Sequence, residues 1–189
     1  MEAKIVYFEN PGKENTEPTL HIARQRAEEL GIKTVLVASI TGHTAVKAME
    51  IFKGLRVIVV THSPGFKEPN TQEFTEENKK IVESKGGIIL TTTHALGGLS
   101  RAIIIGDIVA DTLRILGQGV KVACEIAAMA ADAGLVRTDE DVIAVAGTGA
   151  GTGGRGADTA LVLQPAYAHL FFKLEVREIL CKPRNPHRY

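Results

Sequence analysis

The sequence has no tryptophan, only two cysteines and no excess of charge of either sign. Its 22 Lys and Arg residues balance its 22 Asp and Glu residues, whereas a nucleic-acid or acidic-membrane surface needs a basic excess. No uncharged apolar run approaches the roughly 18 residues of a membrane span. Residues 1–5 also lack the apolar core of a signal peptide. We therefore expect a cytoplasmic protein that binds neither nucleic acid nor a membrane.

The two cysteines, Cys124 and Cys181, lie far apart in apolar segments, without the CxxC spacing of metal or redox sites. Buried free thiols are the simpler interpretation. The 189 residues are 44% hydrophobic, which is enough for one sizeable core, and no linker or repeat divides the chain. We expect a single domain over residues 1–189.

Apolar runs alternate with helical patterns along the chain. Runs without polar alternation, typical of strands buried on both faces, lie at 34–38, 56–61 and 141–146. Further strands are predicted at 4–8, 88–90, 159–163 and 174–180, and helices at 19–30, after residue 44, at 75–84 and over 106–133 with a break at 117–119. This order predicts an α/β fold of right-handed βαβ units around a mainly parallel sheet, with an irregular excursion over 62–74.

The segment 39–45, SITGHTA, follows one of the buried strands and begins a helix. Ligands of open α/β sheets sit beyond the carboxyl ends of the strands, and the first N–H groups of a helix have no partner within it. Gly42 lets a ligand approach the backbone, and the hydroxyls of Ser39, Thr41 and Thr44 add donors, which predicts a phosphate site. The alternative is a simple helix cap. One hydroxyl suffices for a cap, so three favour the anion site.

A second loop, residues 147–158, holds six glycines within ten residues. Gly149, Gly151 and Gly154 satisfy GxGxxG, but a predicted strand follows where the dinucleotide fingerprint needs a helix. A flexible hairpin is one interpretation. The entropic cost of so many glycines, and the single cation of Arg155, favour instead a loop that wraps an anion. Two such loops at neighbouring strand ends predict a phosphorylated organic ligand.

The segment 34–62, TVLVASITGHTAVKAMEIFKGLRVIVVTH, resembles the C-terminal domain of pyruvate kinase. That domain has an apolar strand, a Thr/Ser-x-Ser/Thr-Gly-x-Ser/Thr-Ala turn, a helix and a strand that ends in Thr. The glycine-rich loop and segment 157–165, ADTALVLQP, are similar to a later loop and the closing strand of that domain. The resemblance implies the same fold, a three-layer α/β/α sandwich.

The resemblance also implies roles for the two loops, because in pyruvate kinases with an allosteric sugar bisphosphate they hold its phosphates. One phosphate cradle would consist of Ser39, Ile40, Thr41, Gly42, His43 and Thr44, and the second loop would contribute Thr148, Gly149, Arg155 and Gly156. The catalytic barrel of pyruvate kinase, with its lysine and metal-binding carboxylates, has no counterpart here. Pyruvate kinase activity is therefore expected to be absent.

The segment 7–16, YFENPGKENT, is foreign to the kinase domain and is similar to stand-alone, archaeal-type proteins of the superfamily. Those proteins resemble binders of flavin mononucleotide (FMN), so the resemblance implies FMN as the cofactor. A flavin needs a flat apolar and hydrogen-bonding surface beside its phosphate site. Phe8, Asn10, Pro11 and Thr16 are candidates for part of that surface.

Three histidines, His43, His62 and His94, flank predicted strand ends. His43, next to Gly42, is expected to contact the ligand, and His62 and His94 are candidate acid–base groups. Loop histidines bonded to the backbone are an equal alternative for the latter two. No ligand spacing supports a metal site. The segment 91–98, TTTHALGG, is a candidate third wall of the pocket.

Two functions remain open from the sequence. One is an FMN-binding protein, with flavin-dependent oxidoreductase activity as an option. The other is a non-catalytic effector or sensor module for a sugar phosphate or nucleotide that acts through oligomer contacts. A homo-oligomer is expected, and the alanine-rich helix predicted at 120–133 could pack against a second subunit as well as its own sheet. No residue pattern identifies a substrate or a reaction.

Overall fold

The computed structural model describes residues 3–97, 104–149 and 156–185. Seven strands form one sheet: β1 (Val6–Phe8), β2 (Thr34–Ala38), β3 (Arg56–Thr61), β4 (Ile88–Thr91), β5 (Val142–Ala146), β6 (Thr159–Gln164) and β7 (Glu175–Pro183). The helices are α1 (Thr16–Leu30), α2 (His43–Ile51), α3 (Glu76–Ser84), α4 (Ile104–Arg114) and α5 (Gln118–Asp132). Short 3₁₀ helices cover Lys13–Asn15 and Ala168–Lys173.

The strand order is β1-β7-β6-β5-β2-β3-β4. All pairs are parallel except those that β6 makes with β5 and β7. The prediction of a mainly parallel sheet is therefore confirmed. β6 follows β5 in the sequence and lies next to it in the sheet, and an antiparallel pair needs only a short connection.

Two apolar cores lie on opposite faces of the sheet. On one face, α1, α2 and α3 cover side chains such as Val35, Val59 and Val145. On the other, α5 covers side chains such as Leu36 and Ile58, and Leu113 of α4 packs against the same cluster. Alternate residues of each central strand thus enter different cores, as expected for strands buried on both faces. The predicted three-layer α/β/α architecture is confirmed.

Most predicted elements match, and the main errors lie at their ends. β2 and β3 have the predicted bounds, and Thr75 caps α3 by accepting a hydrogen bond from the N–H of Asn78 at 3.3 Å. The predicted start of the first helix at Thr19 is wrong, because α1 begins at Thr16. Thr19 is instead buried within the helix, where its hydroxyl donates to the carbonyl of Ala157 at 3.5 Å.

The alanine-rich segment forms α5, which is buried along nearly its whole length against β2, β5 and β6. A break at Gly117, with φ of 122°, separates it from α4 as predicted. Of the helices that the structure describes, none combines the length and apolar character that a bilayer crossing requires. Cys124 and Cys181 are free and buried, which confirms the prediction for both thiols.

Candidate ligand-binding site

The carboxyl ends of six strands meet at one edge of the sheet, and the predicted site residues follow these ends. β2 lies between β5 and β3 in parallel register, with Val37 opposite both Val145 and Val59. The segment 39–42 therefore leaves the sheet directly beside the first residues of the glycine-rich loop. Since β6 runs antiparallel, its first residue also lies at this edge. The two loops predicted to hold phosphate are neighbours.

The start of α2 leaves backbone donors without partners. Its N-cap residue is Gly42, in the left-handed region at φ 98°, and it makes no side-chain cap. The N–H of Ala45 donates to Ser39 Oγ at 3.3 Å. By contrast, the N–H groups of His43 and Thr44 bond to no described residue. Capping by Ser39 thus satisfies only one of the first three N–H groups of the helix.

Thr44 adds a hydroxyl to this helix start. The residue is only 8% exposed, and its hydroxyl makes no hydrogen bond to any described residue. No fully buried side-chain oxygen of the described residues lacks a partner, so the Thr44 oxygen keeps some contact with solvent. The hydroxyl can therefore bond to a ligand without breaking a bond to a described residue.

The fold itself requires a glycine at position 42, apart from any contact with a ligand. A Cβ atom at this position would collide with the Cβ atom of Asn78 on α3. Asn78 Nδ2 donates to the carbonyl of Thr41 at 2.9 Å. The glycine therefore lets α3 approach and brace the turn from one side.

The turn is also fixed to the sheet. The N–H of Ser39 donates to the carbonyl of Val60 at 3.0 Å, and Thr61 Oγ1 donates to the carbonyl of Ile40 at 3.3 Å. These bonds tie two residues of the turn to the neighbouring strand β3. The turn is thus held on both sides before any ligand arrives, as a preorganised binding site requires.

The base of the glycine-rich loop is closed by a buried carboxylate. Asp158 accepts hydrogen bonds from Thr148 N at 3.2 Å, Thr148 Oγ1 at 2.8 Å and Thr159 Oγ1 at 2.9 Å. Burial raises the pKa of Asp158, and the bonds from the two threonines oppose that rise. Thr148, a predicted ligand residue, thus uses both its N–H and its hydroxyl to close the base of the loop. Arg155, the predicted cation of the loop, lies outside the described residues.

The end of the same loop rests on the start of α1. Thr16 Oγ1 accepts from the N–H of Ala157 at 3.1 Å, and a Cβ atom on Gly156 would lie 2.8 Å from the Cα atom of Lys13. On the neighbouring helix, Lys47 pairs with Glu17 of α1. Thr16 and Gly156 are thus in contact, and the start of α1 supports the end of the loop.

The other residues predicted for a flavin surface lie elsewhere. Three strands separate β1 from β2, so Phe8 is not beside the α2 turn, and its side chain packs against the core. Pro11 is buried, and the carbonyl of Asn10 accepts from Asn15 Nδ2 at 2.8 Å. Of the four predicted residues, the structure brings only Thr16 to the glycine-rich loop.

Two of the three predicted histidines converge. The ring centroids of His62 and His94 are 5.1 Å apart, whereas His43 is exposed at the start of α2. His62 Nδ1 lies 2.9 Å from Glu73 Oε2, and the ring of Phe66 lies 4.0 Å from His62 and 4.9 Å from His94. Burial lowers the pKa of His94, and the nearby carboxylate of Glu125 opposes this shift. No cluster of metal-binding side chains occurs in the part of the chain that the structure describes.

An ion pair that was not predicted lies behind His94. Lys121 and Glu125 of α5 are both buried and pair at 2.5 Å. Glu125 Oε1 also accepts the N–H of Leu96 at 3.1 Å, which fixes the loop after β4. The sequence signal was available, since a Lys and a Glu four residues apart interrupt an otherwise apolar helix.

Two cavities are lined by described residues, and neither includes a residue of the α2 turn or of the glycine-rich loop. One of about 190 Å³ is at the opposite edge of the sheet, beside Arg56, Arg137 and Glu140. The other, of about 150 Å³, lies between the segment after β4 and the end of α5. Both are small for an organic ligand. The hydrogen-bonding geometry at the strand ends is therefore the stronger evidence for where a ligand binds.

Comparison with known proteins places the fold in a family. The family described as "Pyruvate kinase, alpha/beta domain" matches residues 17–163. The chain is similar to a solved pyruvate kinase from Cryptosporidium parvum in complex with ADP, at 13% identity and a TM-score of 0.37. That alignment covers 87% of this chain and 23% of the other. A solved O-ureido-L-serine synthase is 16% identical with a TM-score of 0.30, over 66% of this chain and 42% of the other.

Proposed function

The chain belongs to the pyruvate kinase alpha/beta domain family, and we propose that it binds a phosphorylated organic ligand at the carboxyl edge of its sheet. The observation that carries the proposal is the start of α2. Two N–H groups, of His43 and Thr44, and the hydroxyl of Thr44 have no partner among the described residues. A phosphate would accept from all three groups at the positive end of the helix.

The surroundings support a phosphate bound as part of a larger molecule. The turn is fixed by Asn78 and Thr61, and the neighbouring glycine-rich loop is anchored at its base by Asp158. Bonds from uncharged donors to a phosphate are charge-assisted and need no lysine. A free ion would need only the helix start, whereas the segments that border it, after β5 on one side and after β3 on the other, suit a larger ligand.

We propose FMN as the ligand, on the strength of the resemblance to stand-alone members of the superfamily. The unpaired donors of the α2 turn fit its phosphate group. Bound FMN would supply hydride and single-electron transfer chemistry. His43 and Thr44 would hold the phosphate, and the residues after β3 and β4 would border the rest of the molecule. Oxidoreductase activity is an extension of this proposal.

A spectroscopic titration tests the proposal. The purified protein, freed of small molecules by refolding or extensive dialysis, is titrated with FMN while flavin absorption and emission are followed. Saturable binding with a shifted absorption band is expected. Parallel calorimetry with fructose 1,6-bisphosphate distinguishes an FMN-binding protein from an effector module. An effector module would bind the sugar bisphosphate and would not bind FMN. Binding of neither compound would contradict a phosphate site of this kind.

A further inference from the structure

We propose that His62, Phe66 and His94 form a ring-binding surface that takes the flat heteroaromatic part of the ligand. The inference rests on the proposed function, because it concerns the part of the ligand that extends from the phosphate at the start of α2. This surface is called here the ring platform. For the same role the resemblance had offered Phe8, Asn10, Pro11 and Thr16.

The three rings of the platform form one continuous cluster. Their centroids lie 4.0, 4.9 and 5.1 Å apart, and Phe66 and His94 are stacked with an interplanar angle of 23°. Phe66 nevertheless remains 56% exposed. A phenyl ring stacked on its neighbours but open to solvent is suited to bind another flat ring, because offset stacking adds to the burial of apolar area.

The imidazoles beneath Phe66 are held in place. Glu73 fixes the ring of His62, and Gln72 Nε2 donates to the carbonyl of His62 at 3.0 Å. The side chain of Phe74 is buried in the core and anchors the end of the same segment. A fixed platform loses little side-chain entropy when it binds a ring, which favours affinity.

The platform adjoins the phosphate site. His62 is the first residue after β3, and the preceding residue, Thr61, bonds to the carbonyl of Ile40 in the α2 turn. Neighbouring strands lie about 4.8 Å apart, so the platform begins one strand away from the turn. A short chain between phosphate and ring, as in FMN or a nucleotide, would span the two sites.

The charges around the platform favour a ring over a second phosphate. Glu73 contacts His62, and Glu125 acts on His94 from beneath. The ammonium group of Lys121 is already paired with Glu125. A second phosphate would meet the carboxylate of Glu73 here, whereas an uncharged heteroaromatic ring would not be repelled. This distinguishes a nucleotide-like ligand from a sugar bisphosphate.

Three probes separate the two parts of the site: FMN, riboflavin, which has the ring without the phosphate, and glycerol 3-phosphate, which has the phosphate without the ring. The variant Phe66→Ala is compared with Phe172→Ala, a matched control whose ring is 87% exposed in the 3₁₀ helix after β6. Both side chains are exposed, so both variants are expected to fold, which circular dichroism would verify.

Phe66→Ala is expected to weaken the binding of FMN and of riboflavin by roughly tenfold or more, because each ring loses a stacking partner. It should also restore part of the flavin emission that stacking quenches, and leave glycerol 3-phosphate binding unchanged. Phe172→Ala should change none of these. FMN binding that is unaffected by Phe66→Ala would overturn the platform and leave the phosphate site standing. If only glycerol 3-phosphate binds, the platform is likewise overturned and the phosphate site stands. If none of the three probes binds, both proposals are overturned.

Discussion

At the scale of single residues, the hydroxyls of Thr41 and Thr44 carry most of the chemistry proposed for the α2 turn. Neither makes a hydrogen bond to a described residue, although Thr44 is buried. Ser39 differs, because its oxygen already accepts from the N–H of Ala45. The two threonines are therefore the side chains whose removal should affect a ligand more than the fold.

The double variant Thr41→Ala and Thr44→Ala is expected to weaken FMN binding by on the order of 2–4 kcal/mol, since each lost bond to phosphate is charge-assisted. Fluorescence titration would measure the change. Thr112→Ala serves as the control, because its exposed hydroxyl only bonds to the carbonyl of Ile108 within α4. Riboflavin affinity should be unaltered in the double variant. An unchanged affinity for FMN would place the phosphate elsewhere.

The sequence identified the residues of the α2 turn because they are contiguous and their spacing has a physical meaning. It also offered His62 and His94 as candidates, since each lies near the end of a predicted strand. It did not identify Phe66 and Glu73 as their neighbours. Both belong to the irregular segment after β3, whose folding back depends on bonds such as that from Gln72 to His62. Hydrophobic periodicity contains no information about such contacts.

At the scale of secondary structure elements, the close approach of α3 to the start of α2 depends on one glycine. Gly42 has a left-handed backbone at φ 98°, and its missing side chain admits Asn78 of α3. Asn78 in turn bonds to the carbonyl of Thr41. The start of α2, where the ligand is proposed to bind, is thus shaped by its neighbour in the same layer.

Gly42→Ala is expected to destabilise the protein by about 2–3 kcal/mol, because a left-handed backbone strain of about 1–2 kcal/mol adds to the collision with Asn78. Gly31→Ala provides the matched control. Gly31 also has a left-handed backbone, at φ 69°, but a Cβ atom there would meet no atom within 4 Å. Urea unfolding of both variants would give the difference. Equal losses of unfolding free energy would contradict a role for the Asn78 contact.

The ends of the elements were predicted less well than the elements themselves. The start of α1 was placed at Thr19 because a threonine before an apolar pattern is a common helix cap. In the structure the helix begins at Thr16, and both threonines bond across to the glycine-rich loop, at Ala157. A capping signal could not be distinguished from a tertiary contact that joins residues more than a hundred positions apart.

At the scale of the whole molecule, one free thiol lies in each of the two cores. Cys181 belongs to the layer under α1, α2 and α3, and Cys124 to the layer under α5. Burial raises the pKa of both thiols to about 12, so neither forms a reactive thiolate near neutral pH. The two cysteines therefore act as independent reporters of the two layers.

Both thiols are expected to resist iodoacetamide in the native protein at pH 8 and to react once it unfolds. If the sheet and its two layers unfold together, the labelling rates at Cys124 and Cys181 should be equal over a range of urea concentrations. Mass spectrometry of peptides after labelling would measure each rate, with fully denatured protein as the reference. Faster labelling at one cysteine would show that its layer opens alone.

The pairing of β1 has a consequence for how the chain is made. Within the described residues β1 pairs with β7 alone, and Val6 lies opposite Cys181. β1 therefore has no strand partner among the described residues until β7 has been synthesised. During translation, β1 is expected to join the sheet only after β7 has left the ribosomal exit tunnel.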